Sequence, residues 1–152
     1  MSSLTTPNIN FESFPLVKKE YRNDRKYVRF YKHIQTENGY KNILHNKYGP
    51  AVMKYKKYAG HYRLSCVKFY LKGKLCTSKN YEPYEIRYRK SNGSIKSKYY
   101  YAHLQGLTEE LYYPNGKIQA ELYSDTITET AIWYKESGEV DRIEESIVPC
   151  WR

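Results

Sequence analysis

Four histidines and three cysteines are the residues here best suited to metal or nucleophilic chemistry, so their spacing is the first test. His33, His45, His61 and His103 share no HxxxH or HExxH spacing, and Cys66, Cys76 and Cys150 form no CxxC or CxxH pair. No zinc site is therefore expected. An odd number of thiols favours free cysteines, and Cys66 and Cys76 adjoin strand-like segments where a thiol acts as a small hydrophobe. Gly73 and Gly116 are each followed by Lys, yet neither has a second glycine in the five preceding positions, and no GxGxxG or GxSxG motif occurs. A nucleotide cradle or a nucleophile elbow has no support. The carboxylate pairs Glu109-Glu110 and Glu144-Glu145 would point to opposite sides of a strand, so neither can serve one bond as acid and base, and they read as solvated. The sequence is read as that of a non-enzyme with no cofactor.

What remains is binding chemistry. Lys54, Lys56 and Lys57 alternate with Tyr55 and Tyr58, and Arg87, Arg89 and Lys90 surround Tyr88. Cations interleaved with aromatics suit an anionic partner, single-stranded nucleic acid in particular. No RNP1-like motif, helix-turn-helix pattern or zinc knuckle accompanies them, and the acidic end of the chain opposes phosphate. Residues 1–105 hold 22 Lys plus Arg against 6 Asp plus Glu, while residues 106–152 hold 4 against 10, so halves of +16 and -6 make the net +10. A basic body and an acidic end can attract each other within one chain or between copies. Tyr70, Tyr113, Trp133, Tyr134 and Trp151 are the candidate anchors for other proteins, including further copies of this chain.

Strands are the elements that must position these residues. Val28 and Phe30 alternate with Arg29 and Tyr31, Met53 and Tyr55 with Lys54 and Lys56, Val67 and Phe69 with Lys68 and Tyr70, and Ile86 and Tyr88 with Arg87 and Arg89. Each gives one apolar and one largely basic face. Only residues 16–25 and 107–111, the latter after a Thr108 cap, suggest short helical turns. Nineteen tyrosines favour strands and fill space while keeping a polar tip at the edge. Residues 1–15 are polar, contain Pro7 and Pro15 and lack periodicity, so they read as an extended arm. The expected organisation is an arm with a short helix over 1–26, a β-domain over 27–145 and a tail over 146–152. No run approaches the ~20 apolar residues of a membrane helix, so no integral membrane insertion is expected. Without a secretory leader, an intracellular or virion-borne protein is expected.

A repeat runs through the domain. Phe69-Tyr70-Leu71-Lys72-Gly73-Lys74-Leu75, Tyr88-Arg89-Lys90-Ser91-Asn92-Gly93-Ser94-Ile95, Tyr112-Tyr113-Pro114-Asn115-Gly116-Lys117-Ile118 and Trp133-Tyr134-Lys135-Glu136-Ser137-Gly138-Glu139-Val140 share an aromatic, a polar turn ending in Gly, and an aliphatic. Their glycines are 20, 23 and 22 residues apart. Each segment reads as a hairpin, with Asn92-Gly93 and Asn115-Gly116 supplying the positive φ of a tight turn. That reading is preferred to a glycosylation sequon at Asn92-Gly93-Ser94.

At residues 112–118, followed by Glu121-Leu122-Tyr123, the chain resembles the variant MORN repeat of antitoxin-type bacterial proteins and of proteins of large DNA viruses. Leu44-His45-Asn46-Lys47-Tyr48-Gly49-Pro50-Ala51-Val52 and the 69–75 segment are similar to two further elements of the viral form. The resemblance spans about residues 44–142; Asn46, Tyr48, Cys76 and Arg89 depart from the family pattern. It implies an all-β fold of consecutive antiparallel hairpins in an elongated twisted sheet, with contacts between sequence neighbours. It also implies a structural or accessory, minor capsid-type role in a large viral particle with capsid proteins as partners, or alternatively an immunity protein that binds a toxin.

Overall fold

The computed structural model describes residues 16–76, 82–101 and 106–147. Among these there is no helix, and thirteen strands follow one another: β1 Leu16–Arg22, β2 Arg25–Thr36, β3 Gly39–Leu44, β4 Val52–Tyr58, β5 His61–Lys68, β6 Tyr70–Leu71, β7 Lys74–Leu75, β8 Glu85–Tyr88, β9 Ile95–Tyr99, β10 Leu107–Tyr112, β11 Ile118–Ser124, β12 Thr128–Tyr134 and β13 Val140–Ile147. Ten of them form one antiparallel path, β1-β2-β4-β5-β8-β9-β10-β11-β12-β13, while β3 pairs with the second half of β2 and β6 pairs only with β7. The fold is all-β, a large sheet of consecutive hairpins that does not close into a barrel. At about 4.8 Å per strand the path is ~43 Å across.

Both expected helical segments are strands. Residues 16–22 pair with β2 in continuous register from Leu16 opposite Tyr31 to Arg22 opposite Arg25, so the sheet begins ahead of residue 27. Leu107 and Leu111 have helical spacing, but β10 is held on both sides by β9 and β11, and pairing overrides that local preference. At the other end β13 runs to Ile147, past residue 145.

The repeat has a concrete form. In four hairpins a tyrosine faces an aliphatic residue, at the turn end in three and three pairs before the turn in the first, and the next pair away from the turn skips one residue on the returning strand: Tyr55 faces Leu64 and Lys54 faces Cys66; Tyr88 faces Ile95 and Arg87 faces Ser97; Tyr112 faces Ile118 and Leu111 faces Ala120; Tyr134 faces Val140 and Trp133 faces Arg142. Each unit thus carries a β-bulge after its aliphatic, which bends the strand and sharpens its twist. Gly93, Gly116 and Gly138 close three of these turns at positive φ. The first turn uses Ala59-Gly60 instead, whereas Gly73 closes the small β6-β7 hairpin off the main sheet. The unit at 69–75 is therefore replaced in the sheet by the one at 55–64.

The bulges align small residues. One row crosses all ten strands as Glu20, Tyr27, Lys54, Cys66, Arg87, Ser97, Leu111, Ala120, Trp133 and Arg142. Cys66, Ser97 and Ala120 are buried between longer neighbours that lie over them. This is how a sheet that has no second layer among the described residues makes a core: large side chains shield the small ones beside them.

Candidate anion-binding groove

Directly paired residues share a face, so the cross-strand rows decide which cations meet. The row holding Tyr27, Lys54, Cys66 and Arg87 defines one face. Two residues along lies Arg29, Val52, Lys68 and Glu85, and two residues the other way lies Arg22, Arg25, Lys56 and Arg63. The last row sets four cations opposite one another on successive strands, about 5 Å apart at Cβ; Glu20 answers Arg22 at 2.7 Å, while the opposition of Arg25, Lys56 and Arg63 destabilises a sheet unless an anion answers it.

Residues of these rows line a groove of about 670 Å³ whose walls include Arg25, Lys54, Lys56, Lys68, Arg87, Arg89, Lys90 and Lys96, four tyrosines and, among the described residues, a single carboxylate, Glu85. Glu85 is buried and already engaged, by Arg87 Nε at 2.6 Å and Lys68 Nζ at 3.5 Å. Among the described residues no carboxylate lies within ion-pair distance of Lys54, Lys56 or Lys96. Arg63 braces the lining residues Lys90 and Ser91 by donating from Nη1 to their carbonyls at 3.1 and 2.8 Å, and its guanidinium sits 4.5 Å from the Tyr58 ring centre. Arg29 lies 4.9 Å from the ring centre of Tyr27, and Arg25 bonded to the Tyr27 hydroxyl holds that phenol below its usual range. At the floor, burial pushes the Cys66 thiol above its ordinary range, so it is a packing group and not a nucleophile.

Five of the six cations expected to meet an anion line this groove: Lys54, Lys56, Arg87, Arg89 and Lys90. Lys57 does not. It follows Lys56 along the strand and so points to the opposite face, where its Nζ is 5.5 Å from the Tyr62 ring centre. Arg89 is also structural, donating from Nη2 to the Tyr112 carbonyl at 2.6 Å. Arg25, Tyr27, Lys68 and Lys96 are not gathered by any local pattern, because only the β2-β4-β5-β8-β9 register brings them together. The Arg22-to-Arg25 turn was the one local hint.

The expected interface aromatics do not form one patch. Tyr70 belongs to the β6-β7 hairpin. Tyr113 donates to the Tyr134 carbonyl at 2.6 Å, Tyr134 donates to Glu121, and Trp133 is half-buried with Arg142 4.6 Å from its ring centre. Trp151 and Cys150 lie outside the described residues, as does the arm over 1–15. The exposed aromatics are others, Tyr21, Tyr40, Tyr48, Tyr58 and Tyr101, of which Tyr58 borders the groove.

Of the two acidic pairs expected to be solvated, Glu144-Glu145 is exposed on β13, whereas Glu109-Glu110 is half-buried on β10. Glu110 and Glu121 face each other on the side opposite the groove, in the row Ile86, Lys98, Glu110, Glu121 and Ile132. Tyr100 donates to Glu110, and Tyr123 and Tyr134 donate to Glu121. These two carboxylates are thus turned away from the basic face. Among the described residues no group of three or more His, Cys, Asp or Glu is placed to hold a metal, and no helix is long and apolar enough to cross a membrane. Searches against protein families, curated proteins and solved structures found no match.

Proposed function

We propose that this protein is a non-catalytic β-sheet binding module whose basic groove takes up an extended polyanion, single-stranded nucleic acid being the class its chemistry suits best. The observation that carries this reading is the cross-strand row Arg25, Lys56 and Arg63 beside Lys54 and Lys96, a surplus of cations that no carboxylate among the described residues answers, whereas Arg22 at the end of the row is paired with Glu20 at 2.7 Å. A small-molecule pocket would be enclosed and mainly apolar, whereas this one is an open trough walled by charge. Tyr27 and Tyr58, each beside a guanidinium, add flat surfaces next to the cations, the combination that single strands use.

The test is fluorescence anisotropy of a labelled oligo(dT) with the full chain across a salt series. If Arg25, Lys54, Lys56 and Lys96 each neutralise one phosphate, affinity falls ~50-fold between about 50 and 200 mM salt. The double variant Lys54→Gln, Lys56→Gln should bind weakly and with a shallower salt slope. No binding at low salt, or binding that ignores both salt and the double variant, would refute the reading. The resemblance to the viral repeat proteins favours a setting in which such a module serves as an accessory, minor capsid-type component of a large particle. Cryo-electron microscopy of purified particles from the source would place it there or exclude it.

A further inference from the structure

The ten-strand path has two ends, and among the described residues nothing pairs with the outer edge of β1 or of β13. Soluble proteins normally blunt such edges with proline, a bulge, very short strands or charge, lysine above all, which repels a like edge but not an opposite one. Here β1 pairs regularly with β2 over all seven residues, and β13 is regular from Arg142 to Ile147, with no proline in either. The two edges have opposite charge: β1 carries Lys18, Lys19 and Arg22 against Glu20, and β13 carries Asp141, Glu144 and Glu145 against Arg142. We propose that β13 of one copy adds to β1 of the next, so that copies join head to tail into one continuous sheet.

The register follows from the rows. Ten is an even number of strands, so a second copy translated along the sheet presents β1 antiparallel to β13 and the alternation continues unbroken. The row that begins at Glu20 ends at Arg142, and the row that begins at Lys18 ends at Glu144. Continued across the junction, Arg142 faces Glu20 of the second copy and Glu144 faces its Lys18, two opposite-charge pairs. A slip of two residues one way sets Arg142 on Arg22 and Glu144 on Glu20; the other way it sets Arg142 on Lys18. Pairing β1 with β1, or β13 with β13, brings together edges of the same sign. The in-line register is the one that avoids these clashes, and because the contact is heterologous it grows an open chain instead of closing into a dimer. This junction is independent of what the groove binds.

Sedimentation velocity of the nucleic-acid-free full chain, from micromolar to submillimolar, tests it. Wild type should show a mass that climbs past dimer with concentration. Glu20→Arg alone and Arg142→Glu alone each place like charges at the junction and should associate roughly tenfold more weakly. In an equal mixture every junction between unlike variants is complementary, so the mixture should regain association through alternating copies, well above either variant alone. Circular dichroism checks that each variant is folded; should one fail, Lys18→Glu and Glu144→Lys make the equivalent pair. A wild type that stays monomeric or stops at a closed dimer, single variants that associate as wild type does, or a mixture that shows no rescue would overturn the proposal.

Discussion

Tyr123 shows what the tyrosines do in a sheet that lacks a second layer. Burial, then the hydroxyl's bond to Glu121, pushes its phenol up to about 12. Tyr100 and Tyr112 are raised further, again by burial first and then by Glu110. A carboxylate that accepts from a phenol favours the neutral ring, so the fold stabilises the protonated form. A folded-state value above the unfolded one contributes stability that is full below about pH 10 and is lost as pH rises through the folded value. Alkaline titration should therefore show a late class that includes Tyr100, Tyr112, Tyr123 and Tyr134, with loss of β circular dichroism setting in above about pH 10 as that class ionises. Absorbance at the tyrosinate band is the measurement. A single step near the ordinary phenol value with the sheet intact would contradict the network on Glu110 and Glu121.

Hairpins are the element in which sequence and structure met most closely. The turns at Gly93, Gly116 and Gly138 were legible because positive φ leaves glycine as the residue of choice, and all three have it. The bulges were not legible: a skipped residue on the returning strand has no residue-type signature, and Ser65, Lys96, Gln119 and Asp141 at the skipped positions share no chemistry. Ala59-Gly60 escaped as a unit turn because its hairpin has longer arms, from Tyr55 to Leu64. Gly106 escaped for a different reason, since it ends no aromatic pair. Yet Gly106 is the more constrained: a Cβ there would stand 3.0 Å from the Ser124 carbonyl oxygen, at φ +76°, whereas one at Gly116 would meet nothing within 4 Å. Gly116→Ala should cost about 1 kcal/mol from backbone strain alone, and Gly106→Ala about 2 kcal/mol or more because strand β11 must also move. Urea denaturation ranks the two; equal costs would mean that the Ser124 contact yields freely.

Across the whole molecule the basic groove sets binding against stability. The candidate site was half legible: alternation placed Lys54 with Lys56 and Arg87 with Arg89, but the meeting of those two segments, and the opposition of Arg25, Lys56 and Arg63, depends on long-range register that no local pattern encodes. That opposition repels in the free protein, and repulsion between exposed charges fades as the Debye length shrinks from ~30 Å at 0.01 M salt to ~8 Å at 0.15 M. The melting temperature should therefore rise over this range of salt, the reverse of a fold held by surface ion pairs, and should rise again on adding oligo(dT) at low salt because the ligand binds only the folded sheet. Lys56 stands between two arginines, so Lys56→Gln relieves both contacts and should stabilise the free protein by about 0.5 kcal/mol at low salt. The same change removes one phosphate contact and should lower the salt slope of oligonucleotide binding by about 0.7. Calorimetry and anisotropy on one variant thus read opposite signs from one residue. A destabilised Lys56→Gln protein would show that the cation row is answered within the chain, and the groove would then have no surplus charge to offer.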